Sequence, residues 1–190
     1  MGELIGGLVL FLGVHSVAIV APSWRDSMRQ MLGWNIWRAL YSIASLAGFV
    51  LLILGYAAAR SSPTIVYTSP FWLRHVVLLL MLPVFPLLFA AYLPGRIKAV
   101  TKHPMLTAVK LWAFAHLLAN GSLHDVVLFG SFLAWAVLDR ISLKHRPPQA
   151  AKTLPASRWN DAIAIVLGLA AYVAMVLWLH LRWIGVSPLG

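Results

Sequence analysis

The sequence contains no cysteine. That excludes disulfides, iron–sulfur ligation, covalent c-type haem attachment and a thiolate metal ligand. Acidic residues are almost as scarce, five in 190, which argues against a carboxylate-rich metal site. Charged residues of both signs make up only 11%, where a soluble domain carries about 25%. Walker loop, dinucleotide fingerprint, His-Glu-x-x-His motif and hydrolase triad are all missing, as are internal repeats and low-complexity tracts. The N-terminus also lacks a positive n-region. Glu3 is the only charged side chain before the first apolar run, so that run reads as a retained helix and not a cleavable signal peptide.

What fills the chain instead is apolar, 61% of it. A water-soluble protein of this size would expose a large apolar surface, whereas a bilayer solvates such a surface. The expected partner is therefore the lipid bilayer, and the expected fold is all-α, a polytopic bundle of six transmembrane helices forming one domain over residues 1–190. The runs are Leu4 to Ala21, Ala39 to Ala59, Val76 to Leu93, Met105 to Ala119, Val126 to Leu138 and Ala162 to Leu179. A span needs about 20 residues. The fourth and fifth runs reach that length only with their polar flanks. Asn120-Gly121-Ser122 marks the turn between them. Pro83 and Pro86 predict a bend in the third helix. Arg140 to Asp161, with Pro147-Pro148, reads as a cytoplasmic linker.

The formal net charge is +10. In a soluble protein that excess would suggest nucleic acid. Here the basic residues lie between apolar runs, so they read as topogenic and no nucleic-acid partner is expected. Eleven fall on one side: Arg25, Arg29, Arg38, Arg96, Lys98, Lys102, Arg140, Lys144, Arg146, Lys152 and Arg158. Arg60, Arg74 and Arg182 fall on the other. The positive-inside rule puts the first set in the cytoplasm and both termini in the periplasm of a bacterial inner membrane. Trp24, Trp34, Trp37, Tyr67, Trp72, Tyr92, Trp159 and Trp183 lie near the expected helix ends, as an aromatic belt does.

Ionisable groups within spans are functional candidates. Lys110 stands about 120° around its helix from His116 and reads as a snorkelling side chain. His15 and His116 differ from it. Each sits about 12 residues into its helix, roughly 18 Å from opposite membrane faces. In a core about 30 Å thick, that sets the two imidazoles within roughly 6 Å of the same depth. Level imidazoles on facing helices could ligate one haem iron from opposite sides. Small Ala113 and Ala119 share the face of His116, and Phe11 and Ala18 flank His15. The competing reading is that each histidine simply hydrogen-bonds a backbone or hydroxyl oxygen in a packed bundle. His75, His124, His180, His103 and His145 read as interfacial or loop side chains, with His103-Pro104 starting a helix.

Two stretches carry a resemblance. Lys102-His103-Pro104 and Leu111-Trp112-Ala113-Phe114-Ala115-His116-Leu117-Leu118-Ala119-Asn120-Gly121 resemble the signature of the NnrU family. The spacing of His15 to Arg25 and to Trp37-Arg38-Ala39-Leu40-Tyr41-Ser42 agrees, and the likeness runs over essentially the whole chain. NnrU proteins are bacterial membrane proteins encoded near denitrification genes. The family is similar to 15-cis-ζ-carotene isomerase, a haem b enzyme of the same membrane fold. In it an early-helix histidine and the histidine of a Trp-x-x-Ala-His stretch are the implicated haem ligands. The resemblance thus implies haem b at His15 and His116, with Trp112, Ala113, Ala119 and Phe11 around it. The isomerase has a cysteine where this chain has Ala113, so a mechanism exchanging thiolate for histidine is unavailable here.

The implied roles are redox or gas-linked chemistry on nitric oxide, isomerisation of an apolar polyene or similar small molecule, or non-enzymatic haem carriage or sensing. An alternative resemblance is to S-adenosylmethionine-dependent membrane methyltransferases of the isoprenylcysteine type. They have Arg-His-Pro where this chain has Lys102-His103-Pro104, and Asp139-Arg140 is the nearest carboxylate element. The sequence leaves substrate and oligomeric state open.

Overall fold

The computed structural model describes residues 1–146 and 153–190. Pro147, Pro148 and Lys152 of the expected linker lie outside the described residues. The described chain is helical and has no strand, only an isolated antiparallel bridge between Ile65 and Ser122.

The helices are α1 (Gly2–Val20), α2 (Pro22–Leu32), α3 (Trp34–Arg60), α4 (Leu73–Met81), α5 (Val84–Ala90), α6 (Arg96–Thr101), α7 (Pro104–Ala119), α8 (Leu123–Ser142), α9 (Asn160–Ala174) and α10 (His180–Ile184). A π-helical turn, Met175–Leu179, joins the last two. The chain gathers into two compact units. Met1–Tyr67 and Ser122–Lys144 form the first; Thr68–Gly121 and His145–Gly190 form the second.

Four helical stretches are long and apolar enough to cross a membrane: Gly2–Val20, Trp34–Arg60, Leu73–Ala90 and Asn160–Ile184. They answer to the first, second, third and sixth expected runs. By length and composition four of the six expected runs thus stand as candidate spans, and the runs on α7 and α8 fall short of that measure. At 16 residues, α7 measures about 24 Å, short of a hydrocarbon core of about 30 Å. The 20 residues of α8 would suffice, but Asp125, Asp139 and Arg140 fall inside it. The exposed faces of the four long helices are Leu-, Ile- and Val-rich, as a lipid-facing surface requires.

In the first unit α1 packs against α3 and α8, around Leu4, Leu8 and Leu52. The α1–α3 approach is close because small residues line it. A Cβ on Gly7 would come within 2.6 Å of the Leu52 nitrogen, one on Gly48 within 2.7 Å of the Phe11 nitrogen, and one on Gly55 would strike the Leu4 backbone. Such contacts replace hydrophobic drive where lipid is as apolar as the helix surface. Between them lies α2, a polar helix read from the sequence only as a connection. Arg25 hydrogen-bonds Asp26 there at 2.8 Å, and that bond holds the Asp26 carboxyl below its usual range.

In the second unit α5 packs on α7 and α9. Its core clusters centre on Val84, Leu87 and Ala108 and on Ala90, Leu93 and Ala164. The bend expected from the prolines is present as the break between α4 and α5. Pro83 supplies no amide to the Leu79 carbonyl, and the Leu82 amide reaches Leu78 and Leu79 oxygens at 3.2 and 3.3 Å instead. The Tyr172 hydroxyl of α9 donates to the Leu78 carbonyl at 2.9 Å, so a neighbouring helix adds a donor at the interrupted turn.

Candidate functional site

His15 lies in the first unit, on α1. Its Nδ1 is 2.7 Å from the Phe11 carbonyl one turn back. A carbonyl cannot donate, so Nδ1 carries a proton, and in the neutral ring Nε2 then carries the lone pair. Aromatic rings enclose the imidazole: Phe11 at 4.4 Å, Tyr41 edge-on at 5.4 Å and Trp135 perpendicular at 6.0 Å, centre to centre. Trp135 adds an unusual feature. Its indole Nε1 is buried yet meets no acceptor among the described residues. A buried donor left unpaired costs stability.

His116 lies in the second unit, on α7, and repeats the pattern. Its Nδ1 donates to the Trp112 carbonyl at 2.8 Å, and the Trp112 ring stands 5.4 Å away. Ala113 is fully buried, and Ala119 is the exposed last residue of the helix. Asn120 closes the helix: its amide nitrogen and its Nδ2 both donate to the His116 carbonyl. Thus Phe11 accompanies His15 in one unit, and Trp112 and Ala113 accompany His116 in the other.

A neutral imidazole with Nδ1 tied to a backbone carbonyl is the usual form of a histidine that binds metal through Nε2. Both histidines therefore suit haem iron by tautomer, and Trp135 offers a polar donor beside one of them. Among the described residues no three His, Cys, Asp or Glu side chains gather as a metal cluster. Imidazole pairs on a haem need no such cluster.

Two groupings escaped the sequence reading. His124, taken as interfacial, is 5% exposed and stands with its Nε2 3.6 Å from Asp125 Oδ2. The Tyr56 hydroxyl donates to Asp125 Oδ1 at 2.6 Å, joining α3 to the start of α8. The available signal was Asp125 itself, one of five acids, at the edge of an apolar run. His180, also taken as interfacial, has its ring centre 6.5 Å from that of His116. His103 caps α7, its carbonyl accepting the Thr107 amide at 3.1 Å. That agrees with a helix-starting role. Lys102 before it adopts φ 60° and ψ −43° in a tight turn closed by the His103 amide on the Thr101 carbonyl at 2.7 Å.

The family model described as NnrU protein matches residues 3–188, nearly the whole chain. No curated protein and no solved structure matches.

Proposed function

The chain belongs to the NnrU family, and on that premise we propose that it is a haem b protein of the bacterial inner membrane, with His15 and His116 as imidazole donors to the iron. The observation that carries this reading is the shared setting of the two rings. Each donates Nδ1 to the carbonyl four residues back, which orients the ring, fixes the tautomer and raises the basicity of Nε2. The unpaired indole of Trp135 supports it as a donor for a polar group of a bound cofactor. Haem would supply one-electron or nitric oxide chemistry, or activation of an apolar polyene.

The chain's own groups would do the rest. Phe11, Tyr41 and Trp135 would keep water from His15, and Trp112 would do so for His116. The proposal includes six spans, with α7 and α8 crossing by recruiting their flanks, and periplasmic termini. It extends to a redox or gas-linked role on nitric oxide; an isomerase and a non-enzymatic carrier are the readings that activity assays would separate from it.

The test is the absorption spectrum of the purified protein, expressed with ample haem. The expected result is a b-type spectrum whose intensity or band positions change in His15→Ala and in His116→Ala but not in His124→Ala. Wild-type spectra in both variants, or a protein without haem, would refute the assignment. A saturable thermal shift with S-adenosylmethionine, abolished by His103→Ala, would instead favour a methyltransferase.

A further inference from the structure

Within the first unit, α2 carries three kinds of surface on 11 residues. At about 100° per residue, Trp24, Met28, Met31 and Leu32 fall within one arc. Ser23, Asp26, Ser27 and Gln30 fall within the opposite arc, and all four are exposed. Arg25 and Arg29 lie together along one border between the arcs. Packing divides the apolar arc further. α2 meets α1 and α3, and Met28 and Leu32 are half-buried. Trp24 and Met31 stay 53% and 69% exposed, and no residue of α2 is fully buried.

A helix this short is marginal in water without a surface to lie on. Its place in the unit offers one. Gly7 against Leu52, Gly48 against Phe11 and Gly55 against Leu4 set α1 and α3 side by side in opposite senses, so α2 joins their ends at one rim. Both joints are sharp. Ala21 adopts φ −140° and ψ 57°, and Gly33 adopts φ 79° and ψ 159°, a conformation that suits glycine. Both flanking helices are long and apolar enough to cross a membrane, which puts α2 at the level of the headgroups. Tryptophan favours that level, and the planar fork of arginine fits phosphate. Arg25 gives two hydrogen bonds to Asp26, at 3.1 and 2.8 Å. Arg29 stands farther from that carboxylate, at 3.5 Å, with its guanidinium 4.8 Å from the centre of the Trp34 ring. Two arginines on one carboxylate leave positive charge in excess, and Arg29 is the more open of the two, 36% against 13%.

We propose that α2 lies along the membrane surface as an interfacial helix, with Trp24 and Met31 at the acyl-chain boundary, and that Arg29 binds the phosphate of anionic phospholipids there. A lipid surface is the occupant because it presents an apolar layer and an anionic layer side by side, in the order in which α2 presents its exposed apolar residues and its arginines. This role is independent of haem and of the histidines.

The absence of cysteine allows a single label on the full chain. Met31→Cys and Gln30→Cys each take a nitroxide, and the protein is reconstituted in phosphatidylcholine bilayers. Relaxation by oxygen, which concentrates in lipid, is compared with relaxation by a water-soluble nickel chelate. Position 31 should report lipid and position 30 water. The same environment at both positions, whether lipid or water, overturns the interfacial helix. For the headgroup, a fluorophore on Met31→Cys is quenched by nitroxide-bearing phosphatidylglycerol or phosphatidylcholine at equal, low mole fraction. Phosphatidylglycerol should quench more strongly. Arg29→Gln should lower that preference about fivefold and Asp26→Asn should raise it by a similar factor, the usual worth of one charge at an anionic surface. A purely structural Arg29–Asp26 pair is broken by either substitution, so shifts in the same direction overturn headgroup binding. So does equal quenching by the two lipids before either substitution. Arg29→Lys keeps the charge and loses the planar stack on Trp34. A preserved preference there supports binding through charge, and a preference lost as in Arg29→Gln overturns it.

Discussion

Asp161 shows how much one side chain can hold at this scale. Its two carboxylate oxygens accept the amides of Arg96 at 2.8 Å and Ile97 at 3.1 Å. Those amides open α6 and have no partners within the helix. The anion also sits at the positive end of the helix dipole. Next to it Asn160, 3% exposed, donates Nδ2 to the Pro94 and Pro155 carbonyls at 2.8 and 3.1 Å. Asp161→Ala should lower stability by about 0.5–2 kcal/mol, the usual cost of a lost cap, while Asp161→Asn, which keeps one acceptor oxygen, should lose less. Thermal unfolding in one detergent checks both; equal stability of Asp161→Ala and the wild type would sink the capping argument. The sequence places Asp161 only at the end of a polar linker, because its partners lie 64 and 65 residues away and no local pattern points to them. His15 and His116 were legible for the opposite reason: a titratable group in an apolar run stands out without any knowledge of its partners. His180 was not, because its orientation depends on a π turn that composition does not announce.

At the level of elements, the apolar runs give the long helices directly, and the Pro83 break follows from a missing amide. What the runs conceal is which face meets another helix, since lipid and protein are both apolar neighbours. The α1–α3 contact is encoded in small residues instead: Gly48, Gly55 and Ala59 on one helix, Gly7 on the other. A Cβ at Gly55 would meet the Leu4 backbone, which cannot swing aside like a flexible side chain. Gly55→Val should therefore destabilise by about 1–3 kcal/mol or more through overpacking. Gly13→Val serves as its control, because nothing lies within 4 Å of a Cβ there. Melting temperatures of the two variants in the same detergent test this. A similar, small shift in both would mean that the α1–α3 approach is looser than the glycines imply.

For the whole molecule, four spans and six share a parity, and both explain the basic asymmetry. In either case α1, α3, the α4–α5 stretch and the α9–α10 stretch cross, and Arg25, Lys98 and Arg158 stay on one side. The two schemes part only at the turn between α7 and α8. Reporter fusions after Arg60 should read periplasmic, and fusions after Lys98 and Lys152 cytoplasmic. A fusion after Ser122 should read periplasmic if α7 crosses, as proposed; a cytoplasmic signal there would leave four spans and remove the depth argument for His116. The division into two units carries a consequence for biosynthesis. The first unit consists of Met1–Tyr67 and Ser122–Lys144, and the second of Thr68–Gly121 and His145–Gly190. A ribosome making this chain emits half of the second unit before it has finished the first. While Thr68–Gly121 is emerging, α1 and α3 have neither α8 to pack on nor Asp125 to accept the Tyr56 hydrogen bond. Neither unit can close in the order in which it is written, and each must wait, already inserted, for a later piece of itself.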